Sequence, residues 1–171
     1  MRKILIIDTS ILCVWLEIPG METCGSADDL WDRQKVKRIL EAEEKNNSLF
    51  VLPLAVIIET GNHIAQSGNT WNCANALCEI IKQSLDSKSP WVEFSQQDVL
   101  WSKEKLRELS NEWPKYAVSR LSIGDMTIKT VADFYAEANY QVHILTGDAG
   151  LKAHEPVQPS PKPRRYKNPN L

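Results

Sequence analysis

The chain has 171 residues with 22 acidic and 20 basic side chains, which gives a formal net charge of −2. A chain of this length can form one domain around a single apolar core, and its charge excludes nucleic-acid binding by bulk electrostatic attraction alone. Its four cysteines form no C-x-x-C pair, and the sequence shows neither a signal-peptide pattern nor an apolar run of membrane-spanning length. We therefore expect a reduced, cytoplasmic protein that does not cross a membrane.

The first predicted element is a buried strand over residues 4–7, because its four apolar side chains are too few for a buried helix. Asp8 follows this strand directly, and Thr9 and Ser10 come next. Ligand crevices in open α/β sheets lie beyond the carboxyl ends of the strands, which gives Asp8 a chemical interpretation. Asp8 is equally suited to cap the helix predicted over residues 10–16, so both roles stay open.

Helices and strands are mixed along the middle of the chain. The predicted helices cover residues 28–45, 53–66, 71–85 and 95–111, and the predicted strands cover residues 49–52 and 91–94. Asp28 and Asp29 suit the positive N-terminus of the first of these helices. The last helix would open with a capping box at residues 95–98 and end at Pro114.

Glu59 lies in the apolar first half of the helix predicted over residues 53–66 and has no lysine or arginine three or four positions away. A partly buried carboxylate without a partner is costly, and proteins usually neutralise, pair or ligate such a group. His63 lies one turn further along the same face. We predict that His63 donates a hydrogen bond to Glu59, in preference to binding a metal.

Asp125 lies at the start of a later predicted helix, where Ser122 has capping-box spacing to it. Asp125 precedes Ile128 by three residues and Ala132 by seven, so its side chain continues the inward face of the helix. A cap that is only solvated would be expected off that face. The spacing therefore favours a chemical role for Asp125.

Asp148 repeats the pattern of the opening segment. The last predicted strand, Gln141–Leu145, is followed by Thr146, a glycine and then Asp148, which begins a short helix. Asp148 alone is suited to capping that helix. Two acids at strand ends in one α/β chain indicate more than capping.

Four acids thus occupy strand ends or inward helix positions: Asp8, Glu59, Asp125 and Asp148. Two unit charges about 4 Å apart interact by roughly 4 kcal/mol at an effective dielectric constant near 20, so converging carboxylates must be protonated or bridged by cations. A site of oxygen ligands with open positions suits Mg²⁺ or Mn²⁺ rather than zinc. Such ions orient and activate water beside a phosphodiester.

Four short acidic motifs follow one another along the chain: Ile-Ile-Asp8-Thr-Ser10, Glu59 in a helix after the second strand, Gly-Asp125, and Leu-Thr-Gly-Asp148. This arrangement resembles the PIN-domain family over about residues 3–154. The resemblance implies an α/β fold, a three-layer α/β/α sandwich with a central parallel sheet. It also implies an endoribonuclease that depends on Mg²⁺ or Mn²⁺ and hydrolyses phosphodiester bonds in RNA.

The resemblance further assigns Asp8, Glu59, Asp125 and Asp148 as the catalytic metal site, with Ser10 and Thr146 as its hydroxyl support. Many bacterial members of the family are toxins held by an antitoxin, and others process or degrade RNA. The expected partners are therefore an RNA substrate, an antitoxin or another protein, and a second copy of the chain.

Two alternatives from other classes stay open. One is a catalytically inactive PIN-like interaction protein. The other is a phosphoryl-transfer enzyme of the haloacid-dehalogenase or receiver type, which also places an aspartate after its first strand. That class needs a second acid beside Asp8 or two residues on, where this chain has Ser10. The six tryptophans are interpreted as packing residues, with base stacking as the alternative.

The end of the chain differs in composition from the rest. Residues 158–171 contain four prolines, four cations and no acid. Subtracting four positive charges from the net −2 leaves −6 for the remainder. We predict a PIN-like nuclease domain over residues 1–156 and a flexible, extended, basic tail over residues 157–171. The tail is either a solubilising end or an arm that binds phosphate or a protein partner.

Overall fold

The computed structural model describes residues 2–157, with the side chains of residues 94–97 excepted. In chain order its elements are β1 (Lys3–Ile7), α1 (Thr9–Trp15), β2 (Thr23–Ser26), β3 (Asp29–Asp32), α2 (Arg33–Lys45), β4 (Leu49–Val51), α3 (Leu54–Ala65), α4 (Thr70–Leu85), a 3-10 helix (Phe94–Trp101), α5 (Lys103–Ala117), α6 (Ile123–Glu137), β5 (Gln141–Leu145) and α7 (Ala149–Lys152). A parallel sheet of β1, β4 and β5 lies at the centre, and β2 and β3 pair as an antiparallel hairpin. The fold is therefore an α/β fold, a three-layer α/β/α sandwich, as the sequence predicts.

The central strand of the sheet is β1, and its residues 4–7 are buried on both faces, as expected for a strand covered by helices. Ile4 pairs with Leu49 of β4 on one side and with Val142 of β5 on the other. The connection from β1 to β4 runs one way across the sheet, and the connection from β4 to β5 runs the opposite way. The carboxyl end of β1 therefore lies at a switch point, where open α/β sheets form their ligand crevices.

The β2–β3 hairpin occupies residues predicted to form a loop and the start of a helix. Gly25 of β2 adopts a φ of 91°, and a Cβ there would lie 2.2 Å from the Asp29 backbone oxygen, so this position of the strand requires glycine. α2 begins only after Asp32, which accepts a 2.7 Å hydrogen bond from the Lys35 N–H. The predicted helix start at Asp28 is wrong because pairing with β2 holds this segment extended.

The segment after α4 also differs from the prediction. Trp91 forms a single parallel bridge with Phe50 in place of the predicted strand, and a 3-10 helix follows. α5 is capped by Ser102, whose Oγ accepts a 3.2 Å hydrogen bond from the Lys105 N–H. The predicted start of the α-helix at residue 95 is therefore wrong, since α5 begins at Lys103. The capping box predicted at residues 95–98 involves side chains that lie outside the described part of the chain.

Pro114 lies inside α5, although we predicted that the helix would end there. Proline removes one intrahelical hydrogen-bond donor and is costly in a helix interior. Here the helix ends three residues later, at Ala117, so the loss falls near its last turn. α5 fully buries none of its described side chains, which makes it an outer helix packed on α6.

Across residues 2–157, each helix is either too short or too polar to span a bilayer. The division of the chain at residue 156 is a prediction from composition. Apart from Val157, the predicted tail lies outside the described residues.

Candidate active site

The candidate site lies at the carboxyl edge of the sheet, where β1 and β5 end side by side. Asp8 follows β1, and its N–H donates a 3.0 Å hydrogen bond to the Leu145 carbonyl at the end of β5. Its carboxylate also caps α1, accepting from the N–H of Thr9 at 2.7 Å and that of Ser10 at 3.4 Å. Asp8 thus combines a capping role with a position at the strand edge, and its side chain is buried.

Two hydroxyl groups hold the Oδ2 atom of Asp8. Ser10 Oγ donates to it at 2.6 Å, and Thr146 Oγ1 donates at 2.8 Å. Each hydroxyl oxygen also accepts a backbone N–H from the loop after β5, from Gly147 at 3.1 Å and from Asp148 at 2.9 Å respectively. Because a backbone N–H can only donate, both hydroxyl hydrogens are left to point at the carboxylate. The network joins the ends of β1 and β5.

The electrostatics of Asp8 reflect its burial. Loss of solvent raises the pKa of the Asp8 carboxyl above its usual value, while hydrogen bonds from Ser10, Thr146 and the Thr9 N–H lower it. The negative charge of Asp125 raises the pKa of Asp8 further. These two carboxylates, from opposite parts of the chain, are therefore close enough to repel each other.

Glu59 reaches the same edge from α3. Its Oε2 atom accepts a 2.9 Å hydrogen bond from Thr9 Oγ1, and its Oε1 atom lies 2.2 Å from the position that a Cβ on Gly124 would occupy. Glu59 is half-buried, whereas His63 is exposed. The partner of Glu59 among the described residues is therefore Thr9 and not the predicted His63.

Asp125 follows Gly124 at the start of α6 and forms the predicted capping box. Its Oδ2 accepts a 2.8 Å hydrogen bond from the Ser122 N–H, and its own N–H donates to Ser122 Oγ at 3.0 Å. Asp125 is half-buried. The close contact of Gly124 with Glu59 sets the start of α6 against α3, which brings Asp125 beside Glu59.

Asp148 is placed differently from the other three acids. Its Oδ1 atom accepts hydrogen bonds from the N–H groups of Gly150 at 2.6 Å and Leu151 at 3.3 Å, which makes it the N-cap of α7. Its side chain is exposed. Asp148 is linked to Asp8 through its backbone N–H and Thr146, while its carboxylate faces its own helix.

The hairpin adds residues that the sequence did not single out. A Cβ on Gly147 would lie 2.7 Å from Cys24 Sγ and 2.9 Å from the Gly25 nitrogen, so β2 packs directly on the loop after β5. A cavity of about 220 Å³ lies here, and Trp31 and Lys152 are among its lining residues. Only the glycine before Asp148 hinted at this close approach.

None of the four acids has a basic partner within the described residues. Within residues 2–157, neither Asp8, Glu59, Asp125 nor Asp148 forms an ion pair with a basic side chain, although many other carboxylates do. The described residues also contain no group of three or more histidine, cysteine or acidic side chains arranged to hold a metal ion.

The chemistry of the donors fits a hard divalent cation. Carboxylate oxygens are the ligands that Mg²⁺ and Mn²⁺ prefer, and the repulsion between Asp8 and Asp125 is the kind that a cation relieves. Thr9, Ser10 and Thr146 supply hydrogen bonds behind the carboxylates, as second-layer groups do in metal sites.

No family model matches this chain, and searches of the curated proteins and of the solved structures give no match either. The likeness to the PIN-domain family accordingly depends on the four acidic motifs and their order.

Proposed function

We propose that this chain is a PIN-like endoribonuclease that uses Mg²⁺ or Mn²⁺ to hydrolyse phosphodiester bonds in RNA. The observation that carries the proposal is the meeting of Asp8, Glu59 and Asp125 at one edge of the sheet, without a basic partner among the described residues. Partly buried carboxylates in this situation favour a bound cation.

Asp8, Glu59 and Asp125 would hold the metal ion, with Asp148 beside them as the fourth acid. When bound, the ion supplies Lewis acidity to the phosphodiester and lowers the pKa of a water molecule. Ser10 and Thr146 keep the Asp8 carboxylate in one orientation, and Thr9 does the same for Glu59. Ligands fixed in this way lose less free energy to reorientation when they bind.

The two carboxylate oxygens of Asp125 differ in their hydrogen bonding. Its Oδ2 atom is held by the Ser122 N–H, whereas its Oδ1 atom accepts no hydrogen bond from the described residues. An oxygen without a hydrogen bond is available to a cation, so Oδ1 is the atom through which Asp125 would hold the metal ion.

Local positive charge would assist RNA binding, since the whole chain is slightly acidic. Lys152 lines the cavity beside Thr146, and the Lys35 ammonium lies 4.2 Å from the centroid of the Trp31 ring, which lines the same cavity. Lys35 pairs with Asp29 and Lys152 pairs with Glu155, and an RNA phosphate would compete with these carboxylates for the two cations.

In biological terms we propose a cytoplasmic ribonuclease, with the toxin of a toxin–antitoxin pair as the first candidate role. Its partners would be RNA, an antitoxin or another protein, and a second copy of the chain. An RNA-processing nuclease outside such a pair uses the same site. Growth arrest on expression, relieved by a co-expressed neighbouring gene, distinguishes the toxin.

One observation favours a second candidate, an interaction protein with this fold and no catalysis. No three acidic, cysteine or histidine side chains in the described residues are arranged to hold a metal. This candidate predicts that calorimetric titration with Mn²⁺ gives no binding heat, whereas the nuclease predicts binding that Asp8→Asn abolishes.

The deciding experiment is RNA cleavage by the purified full chain. Labelled single-stranded RNA is incubated with Mn²⁺, with Mg²⁺ or with EDTA, beside the Asp8→Asn and Asp125→Asn variants. Cleavage that requires the metal and is lost in both variants supports the nuclease. Cleavage that persists in EDTA or in either variant would falsify the mechanism.

A further inference from the structure

A groove of about 360 Å³ runs between α5 and α6. Leu100 and Met126 are buried in its wall, and Leu109 and Phe134 are half-buried there. Its charged lining residues are Lys105, Glu108, Glu112, Lys129, Asp133 and Glu137. The groove therefore combines an apolar wall with a charged rim.

The rim carries more negative than positive charge. Lys105 pairs with Glu108 at 2.7 Å, and Lys129 pairs with Asp133 at 2.5 Å. The two remaining carboxylates, at positions 112 and 137, are exposed and have no cationic partner within residues 2–157. The rim therefore has a surplus of two negative charges, which a cationic ligand would neutralise.

Glu112 and Glu137 both interact electrostatically with Lys105 in the lining of the groove. The pKa of Lys105 is raised first by its hydrogen bond to Glu108, and the charges of Glu137 and Glu112 add to the rise. Burial lowers the pKa of Lys129, but Asp133 and, to a smaller extent, Glu112 raise it above its usual value. A cationic ligand in the groove would therefore meet both free carboxylates.

The chain contacts one end of this groove at His154, three residues before the described part ends at Val157. The His154 ring contacts the Tyr116 ring edge-on, with 5.5 Å between the centroids, and Tyr116 lines one end of the groove. Residues 158–171 continue from this point. From Tyr116 back to Lys105, α5 is about 16 Å long at 1.5 Å per residue, whereas fourteen extended residues span about 43 Å at 3.1 Å each. The segment can reach the whole groove.

We propose that residues 158–171 of this chain bind in the groove between α5 and α6. The segment provides four cations, Lys162, Arg164, Arg165 and Lys167, for the surplus carboxylates, and Tyr166 for the apolar wall. The prolines at positions 159, 161 and 163 favour an extended backbone, which reduces the conformational entropy lost on binding. The proposal does not depend on the nuclease function.

The test is photo-crosslinking in the full-length protein at low salt. Tyr166 is replaced by the photoreactive residue p-benzoylphenylalanine, and cross-linked peptides are mapped by mass spectrometry. We expect intramolecular cross-links to the groove, near Leu109, Met126 or Phe134, and loss of most of them at 1 M NaCl, where the screening length falls to about 3 Å. Mixing isotope-labelled and unlabelled protein separates intramolecular links from links to a second copy.

Charge reversal on the groove gives the matched comparison. The double variant Glu112→Lys, Glu137→Lys should lose most of the groove cross-links. The control Glu41→Lys, Glu44→Lys makes the same change in net charge on exposed positions of α2 and should retain them. Circular dichroism checks that both variants fold.

Three outcomes overturn the proposal. The first is cross-links spread over the surface or directed mainly at another element. The second is groove cross-links that persist after the reversal at positions 112 and 137. The third is cross-linking only to a second copy, which would make the segment an intermolecular arm.

Discussion

Thr9 donates a 2.9 Å hydrogen bond from its Oγ1 atom to the Oε2 atom of Glu59, which joins the start of α1 to the middle of α3. This contact fixes one candidate ligand, Glu59, through the residue that directly follows another, Asp8. Thr9, to which the sequence assigned no role, thereby helps to set the distance between Asp8 and Glu59.

Thr9→Val keeps the shape of the side chain and removes this donor. We expect Mn²⁺ affinity and RNA cleavage to fall about 10- to 100-fold, the usual effect of losing a hydrogen bond behind a metal ligand. The free energy of unfolding should change by only about 1 kcal/mol. The control is Thr130→Val, which removes a 2.9 Å hydrogen bond to the Met126 carbonyl on α6. Calorimetry and cleavage assays that show equal losses for both variants would contradict a positioning role for Thr9.

Gly124→Ala should displace Glu59, because the added Cβ would lie 2.2 Å from its Oε1 atom. We expect at least a tenfold loss of RNA cleavage, since small displacements of a positioned group are costly to catalysis. Gly61→Ala is the matched control on α3, where a Cβ meets nothing within 4 Å. That control should stabilise the helix by up to about 1 kcal/mol and leave cleavage intact. Wild-type cleavage by Gly124→Ala would show that Glu59 has no fixed role.

The raised pKa of Asp8 predicts that the stability of the metal-free protein depends on pH. Burial raises the pKa of folded Asp8 above 3.8, so the folded state binds this proton more tightly than the unfolded state does. The contribution is fully present below about pH 3.8 and is lost as the pH rises through the folded pKa. In urea unfolding with EDTA, the wild type should lose stability relative to Asp8→Asn as the pH rises from about 3.8 through the pKa of folded Asp8. A difference that stays constant with pH would refute the effect.

Ser10 and Thr146 should be energetically coupled, because both donate to the same oxygen of Asp8. Ser10→Ala and Thr146→Val each remove that donor and an acceptor for a backbone N–H. Each should cost about 1–3 kcal/mol of unfolding free energy. The double variant should differ from the sum by about 0.5–3 kcal/mol, as for residues of one network. Additive losses in denaturant unfolding would indicate two independent contacts.

The sequence predicts the parts of this fold that depend on short-range patterns. Short apolar runs followed by an acid locate β1 before Asp8 and β5 before Asp148. The capping box at Ser122 and Asp125 is likewise confirmed. These features depend on neighbouring residues, so hydrophobic periodicity and capping chemistry are sufficient to find them.

The missed features depend on contacts between distant segments. Thr9 and Glu59 are 50 residues apart, and the contact between Gly124 and Glu59 joins α6 to α3; no local pattern encodes either. The β2–β3 hairpin was missed because Asp28 and Asp29 imitate a helix N-terminus. The direction of the Asp148 carboxylate follows from the N–H groups of α7, which compete for it.

The pairing of β1 with β5 has a consequence for synthesis of the protein. The hydrogen bond between Thr146 and Asp8 joins residues 138 positions apart. β1 therefore cannot pair with β5, its second neighbour in the sheet, until most of the chain has been synthesised. Contacts of such long range form late and slowly. A ribosome must therefore release nearly the whole polypeptide before Thr146 can reach Asp8 and the carboxyl edge of the sheet can be completed.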